Sequence, residues 1–285
     1  MKVLGGPASQ LLGSRVAREI GCELAISEFK QFPDGELYLR VAEELDGDTL
    51  IVQSTTTNDD IVYLLQLIDA ASDGYVRVVI PYFGYARQDK RFKLGEPISA
   101  RAIAQAIDVD EIYVVNIHAL ASLDYFKLRS GKNAVNLSAA SLIGAHLKSL
   151  GFASPLLIAP DEGATTLVRD VSQAMGCEFD VLVKKRVTSE HVAIQRKMVH
   201  ADGHDVVVVD DMISTGGTVA EAIKLLREQG ARQVHVACIH PVLSLNARLR
   251  LYRAGADSII ATDTIEKAES VVSVAPLIKD AVGGR

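Results

Sequence analysis

Short apolar, β-branched runs recur along the chain at residues 2–5, 49–53, 77–81, 111–117, 155–159, 180–183, 205–209, 233–239 and 257–261. Between them apolar positions return every third or fourth residue, as in Ile61, Leu64, Leu65 and Ile68, or Ala222, Ile223, Leu225 and Leu226. The runs have the pattern of fully buried strands and the spaced positions that of amphipathic helices. Strands that are apolar on both faces, alternating with helices, predict an α/β fold with a mostly parallel sheet covered on both sides. Gly230 is placed to stop a helix over 218–229, with Thr218 in its first turn. A longer repetition also appears: strand, acidic or Thr-rich turn, helix, as "LIVQSTTTNDDIVYLL" at 50–65 and "LLIAPDEGATTLV" at 156–168. It predicts two similar domains, 1–142 and 143–285, with the last ~20 residues a candidate to pack back on the first.

Composition narrows the class. A chain of 285 residues, 48% hydrophobic and 23% charged, can bury two cores and has neither a disordered nor a fibrous bias. The apolar runs have strand length and fall short of a membrane span, so no membrane association is expected. The opening "MKVLGGPAS" has no long apolar stretch before a cleavage site, so no signal peptide is expected and a cytoplasmic location is. Three dispersed cysteines, Cys22, Cys177 and Cys238, fit free thiols in a reducing compartment better than a disulfide framework. A net charge of −6 argues against nucleic acid and anionic membranes as partners, so any polyanionic ligand needs a local group of cations.

By the rule for open α/β sheets, ligands sit at the carboxyl ends of the strands. The loop with the most chemistry there is "VVVVDDMISTGGT", residues 206–218. Its glycines let backbone N–H groups approach a ligand, the hydroxyls of Ser214, Thr215 and Thr218 add donors, and the following helix start favours an anion. Asp210 and Asp211 would repel that anion, but they suit sugar hydroxyls or a divalent cation. Phosphate at Ser214, Thr215, Gly216, Gly217 and Thr218, with hydroxyls at the two acids, describes a phosphoribose site. A polar turn with a Ser or Thr cap is the plainer reading, which the full acid-acid-x-x-S-T-G-G-T order disfavours.

That order resembles the phosphoribosyl-diphosphate-binding signature of type I phosphoribosyltransferases and ribose-phosphate diphosphokinases. "FPDGE" at 32–36, "PYFGYARQDKR" at 81–91, "GEPISAR" at 95–101 and "PDEGA" at 160–164 are similar to segments of the diphosphokinases, especially the shorter archaeal type, and simple transferases lack the first two. The resemblance runs from about residue 2 to 275 and implies two type I phosphoribosyltransferase-like domains. It implies transfer of an intact diphosphoryl group from ATP to the anomeric hydroxyl of ribose 5-phosphate. Such a reaction depends on positioning and on cations around the phosphates rather than on covalent chemistry by the protein.

The cations are present as two clusters, Arg87, Lys90, Arg91 and Lys93, then Lys184, Lys185 and Arg186. A solvated charge run is the plain reading of such clusters, and it is kept for Lys90 and Lys93. By resemblance, Lys184 and Arg186 are the catalytic pair on a loop that closes over the phosphates, and Arg186 also reaches the sugar phosphate. Resemblance likewise assigns Phe32, Asp34, Gly35 and Glu36 to adenine and ribose recognition from a neighbouring subunit, with Arg87 and Gln88 completing the ATP site. A homodimer is then the minimum assembly. Read alone, Pro33-Asp34-Gly35 is a hairpin tip.

His118 and Asp161 each follow an apolar run, and resemblance makes them the ligands of Mg²⁺, which prefers oxygen and keeps several waters. Many relatives carry Asp two residues before this histidine, where this chain has Asn116. The remaining histidines are read as structural or solvent-facing. Two other functions share this loop, a phosphoribosyltransferase consuming the diphosphate and an inactive regulatory subunit that binds it. The 32–36 and 87–91 segments argue against the first, and Lys184, Arg186, Asp161 and His118 together argue against the second.

Overall fold

The apolar runs form the inner strands of two parallel sheets. The structure, a computed structural model, describes the chain apart from residues 46, 153–154, 183, 187–191, 195–198 and 284–285, and the side chains of 184–186 and 192–194. It divides into two compact units, one of Met1–Ser138 with Thr264–Glu266 and Ser273–Arg285, the other of Ala139–Asp263 with Lys267–Val272.

The first unit is built, in order, from β1 (Lys2–Gly5), α1 (Gln10–Ile20), β2 (Glu23–Ala25), β3 (Ser27–Gln31), β4 (Leu37–Val41), β5 (Asp48–Val52), α2 (Asn58–Ala70), β6 (Tyr75–Ile80), α3 (Ser99–Ala104), β7 (Glu111–Val115) and β8 (Val135–Leu137). Its sheet runs β2-β1-β5-β6-β7-β8, with every neighbouring pair parallel. Leu4, Ile51, Val78, Ile80, Ile112 and Val114 meet Leu64 and Leu67 of α2 in one core. α2 starts at a reciprocal cap in which Asp60 N–H donates to Thr57 Oγ1 at 3.2 Å and Thr57 N–H to Asp60 Oδ2 at 2.7 Å. β3 and β4 form a separate antiparallel hairpin that docks on α2. Phe29 meets the Tyr63 ring edge-on at 5.4 Å, and Gln66 Nε2 donates to the Leu37 carbonyl at 2.9 Å.

The second unit contains α4 (Ala140–Ser149), β9 (Leu156–Ala159), α5 (Thr165–Met175), β10 (Phe179–Val181), β11 (Lys184–Arg186), β12 (Val192–Ile194), β13 (Asp205–Met212), α6 (Gly217–Glu228), β14 (Gln233–His240), α7 (Ala247–Ala254), β15 (Ser258–Thr262) and β16 (Ser270–Val272). The order β10-β9-β13-β14-β15-β16 is again parallel throughout, and β11 pairs with β12 as an antiparallel hairpin. Val206 and Val208 pack with Ile223 and Leu226 of α6 and with Val236. The chain ends in α8 (Ala275–Gly283), which lies on α1 in the first unit.

The expected α/β class is therefore present as the same sheet order twice, with a hairpin inserted between the second and third strands of each half. One inference needs correcting in its detail. The segments 50–65 and 156–168 are not counterparts, because β5–α2 occupies the position of β13–α6, and β9–α5 that of β1–α1. Several strand ends also differ from expectation, and two have a clear local cause. β7 stops at Val115 because Asn116 turns the backbone into the left-handed region, at φ 40°. β13 continues to Met212 because β14 runs beside it as far as His240. All three cysteines are free, Cys238 buried and the other two half-buried, and burial raises each thiol above its ordinary value. No helix among the described residues is long and apolar enough to cross a membrane.

Candidate active site

The loop expected to hold phosphoribose lies in the second unit, between β13 and α6. Asp210 and Asp211 lie in the last turn of the pleat, half-buried, with Asp211 N–H donating to Asp210 Oδ1 at 2.9 Å. Burial, then the adjoining Asp211 charge and a hydrogen bond to it, and then Asp161, push the Asp210 carboxyl up to about 8. Asp161 is near enough for its charge to act on Asp210, and as a carboxylate it supplies the oxygen that Mg²⁺ prefers; no group of three metal-ligating side chains occurs among the described residues. Beyond Met212 the chain reaches Gly216, which takes a left-handed conformation at φ 71° as the cap of α6. The N-cap of this helix is Gly216, which makes no side-chain cap hydrogen bond, so the Ser or Thr cap of the plainer reading is absent. A Cβ on Gly216 would also crowd Leu251 at 3.3 Å. Thr218 is the second residue of α6, and Thr215 is exposed.

In the first unit three strand-end loops are joined. Ser54 N–H donates to Ser9 Oγ at 3.0 Å, Tyr82 N–H to Ser54 Oγ at 3.1 Å, and Gly84 N–H to Thr55 Oγ1 at 2.8 Å. The approach at Gly84 admits no side chain, since a Cβ would stand 2.1 Å from the Thr55 carbonyl oxygen. Arg87 and Gln88 follow directly. Gln88 is hydrogen-bonded to Ser99 at the start of α3, and the Asp89 carbonyl accepts from the Tyr125 hydroxyl at 2.7 Å. Sequence reading passed over Ser9, Ser54, Thr55 and Gly84. Their role is to fix backbone, and the only local hint was the hydroxyl-rich "QSTTT" run.

The tip joining β3 to β4 carries Phe32, Pro33, Asp34, Gly35 and Glu36, all exposed. Phe32 N–H donates to the Glu36 carbonyl at 2.8 Å, and Asp34 Oδ1 accepts from Glu36 N–H at 3.3 Å, so the tip is ordered by its own bonds.

His118 is exposed just beyond β7 in the first unit, and Asp161 stands beyond β9 in the second. Asp161 Oδ1 caps a short 3-10 turn by accepting from Gly163 N–H at 3.1 Å. The left-handed backbone of Asn116 accounts for an amide there, since Asn adopts that conformation more readily than most residues. Lys184, Lys185 and Arg186 form β11, with side chains outside the described residues, and His191 lies outside them altogether. His235 is buried with Nδ1 2.8 Å from Ser258 Oγ, and burial lowers its imidazole below the ordinary value, in keeping with a structural role.

Comparison with known proteins bears on the family and the fold. Residues 1–109 match the model of the N-terminal domain of ribose phosphate pyrophosphokinase, and residues 131–276 match the phosphoribosyl transferase domain. The chain is 53% identical to the ribose-phosphate pyrophosphokinase of Methanosarcina mazei, over 100% of this chain and 96% of that one. It is 42% identical to the enzyme of the same name from Methanothermobacter thermautotrophicus, over 98% of both. Among solved structures it resembles phosphoribosylpyrophosphate synthetase from Mycobacterium smegmatis, with a TM-score of 0.82 and 27% identity over 99% of this chain and 97% of that one.

Proposed function

This chain belongs to the ribose-phosphate pyrophosphokinase family, and from that premise we propose how its residues carry out the reaction. The enzyme transfers the β,γ-diphosphoryl group of ATP to the C1 hydroxyl of ribose 5-phosphate, giving 5-phosphoribosyl 1-diphosphate and AMP for nucleotide biosynthesis. The observation that carries this reading is the start of α6 at Gly216, which makes no side-chain cap hydrogen bond, soon after the Asp210–Asp211 pair. Backbone donors of 214–218 take the 5-phosphate, and the two acids accept from the sugar hydroxyls. Ionised carboxylates are the better acceptors, so sugar binding draws the proton off Asp210.

The ATP segments belong to the first unit, with Arg87 on phosphate and Gln88 beside it, while Phe32, Asp34, Gly35 and Glu36 meet the adenine and ribose. Those tip residues are exposed on their own chain, which supports their use by a neighbouring subunit and hence at least a homodimer. Lys184 and Arg186 stabilise charge on the transferring group, and Arg186 also contacts the sugar phosphate. His118 and Asp161 would hold Mg²⁺, which when bound neutralises phosphate charge. The sugar oxygen O1 attacks the β-phosphorus in line as the bond from that phosphorus to the α,β-bridging oxygen breaks; AMP leaves with the bridging oxygen, and the proton of O1 passes to solvent. We place the enzyme in the cytoplasm.

Incubation with ATP, Mg²⁺ and ribose 5-phosphate, followed by nucleotide analysis, tests the reaction. AMP and the diphosphorylated sugar should form in equal amounts. Production of ADP, or no turnover, overturns the assignment.

A further inference from the structure

We propose that Arg250 is a positioning residue for the ribose 5-phosphate loop, holding it in its anion-binding shape by drawing the Thr215 carbonyl away from the ligand. The proposal rests on the reading of residues 214–218 given above. A backbone nest accepts an anion only while its N–H groups converge and its carbonyls point elsewhere. In this loop one neighbouring stretch of chain takes three successive carbonyls. Leu243 N–H donates to the Ile213 carbonyl at 2.8 Å, Ser244 N–H to the Ser214 carbonyl at 3.0 Å, and Arg250 Nη1 to the Thr215 carbonyl at 2.7 Å. The next carbonyl, of Gly216, is used inside α6 by Ala220 N–H at 2.9 Å. All four carbonyls are therefore already engaged by donors of the protein itself. Of the three ties from outside the helix, two are backbone to backbone and the third alone depends on a side chain.

The bracing stretch has an unusual backbone of its own. Leu243 and Leu245 have φ of 44° and 54°, a region that bulky L-residues avoid, and such conformations persist where surrounding structure enforces them. The Leu243 side chain is buried in the core, which anchors this stretch, whereas Leu245 is 86% exposed and gains little from packing. The two unfavourable residues flank Ser244, whose N–H and hydroxyl both meet Ser214, the hydroxyls lying 3.2 Å apart. Arg250 lies further along, in the first turn of α7, and is exposed like Thr215. Without it, water satisfies the carbonyl and the 215–216 peptide is free to rotate toward the anion side. The loss is therefore one of affinity for the sugar phosphate, not of chemistry on the diphosphoryl group.

The test is steady-state kinetics on full-length variants. Arg250→Ala should raise KM for ribose 5-phosphate roughly five- to tenfold, while kcat and the KM for ATP stay within about twofold. Arg250→Lys, which keeps a donor and the charge, should recover most of the loss. Thr218→Glu tests the loop reading separately, because it places a carboxylate where the phosphate should sit, at a helix start that tolerates one. If Thr218→Glu abolishes ribose 5-phosphate binding while Arg250→Ala binds normally, the loop reading stands and the role of Arg250 is wrong. If Thr218→Glu binds normally, both fall. Equal losses in kcat and in both substrates for Arg250→Ala, without rescue by Lys, would mark Arg250 as merely structural and overturn the proposal.

Discussion

At Asp210 the needs of the fold and of the ligand oppose each other. Its carboxyl keeps a proton up to about 8 in the folded chain, whereas the unperturbed group releases it near 3.8. Between those values the native state binds more protons than the unfolded state, so the stability it contributes falls as pH rises across that window. Asp210→Asn should therefore melt higher than the parent at pH 8, by a few degrees, and the gap should close toward pH 4. Turnover should be lost at every pH. Thermal melts across the range decide the matter, and a gap that does not change with pH contradicts it. Lys184→Ala should lower kcat by about 10²–10³ while ribose 5-phosphate affinity survives, which single-turnover kinetics and binding titration separate. Residues 210–218 stand out in the sequence as a candidate site because their acids, hydroxyls and glycines are contiguous, and the structure places them at the β13–α6 junction. Arg250 was not. Its partner is a backbone carbonyl 35 residues away, and no pattern of side chains records such a contact.

Among the elements, inner strands buried on both faces declared themselves as continuous apolar runs. The β3–β4 hairpin did not. "SEFKQ" and "LYLRV" face α2 with part of their surface and solvent with the rest, so polar residues interrupt the pattern, and only the Pro33-Asp34-Gly35 turn betrayed it. The division of labour within the hairpin gives a clear expectation. Its docking rests on Phe29 against Tyr63 and on Gln66, while its tip is bonded only to itself and its own flanks. Asp34→Ala should accordingly leave the melting temperature within about 1 °C of the parent and raise the KM for ATP several-fold. A lowered melting temperature with unchanged ATP kinetics would make the tip a structural feature.

For the whole molecule, the sequence suggested repetition, but through segments that do not correspond. Apolar runs resemble one another wherever they lie, and only strand order shows that β5 answers to β13 and β1 to β9. Assembly gives the matching prediction. If the tip serves the neighbouring subunit, a chain carrying Asp34→Ala with Glu36→Ala and a chain carrying Thr218→Glu are each impaired alone. Co-expressed, they should regain roughly a quarter of wild-type activity, because half of randomly paired dimers have one intact site of two. No recovery on mixing would place tip and loop in the same subunit's site.

The two inserted hairpins have one more consequence. Both halves open the same interval of the fold, between the second and third strands, to an antiparallel ribbon; one ribbon carries the exposed 32–36 tip and the other the Lys184–Arg186 strand. On the roles proposed for them, one ribbon serves the choice of nucleotide and the other the movement of the diphosphate. Donor preference then becomes an exchangeable module: tips from related enzymes can be grafted at residues 32–36 and selected for new nucleotides while the cores and the transfer apparatus stay as they are.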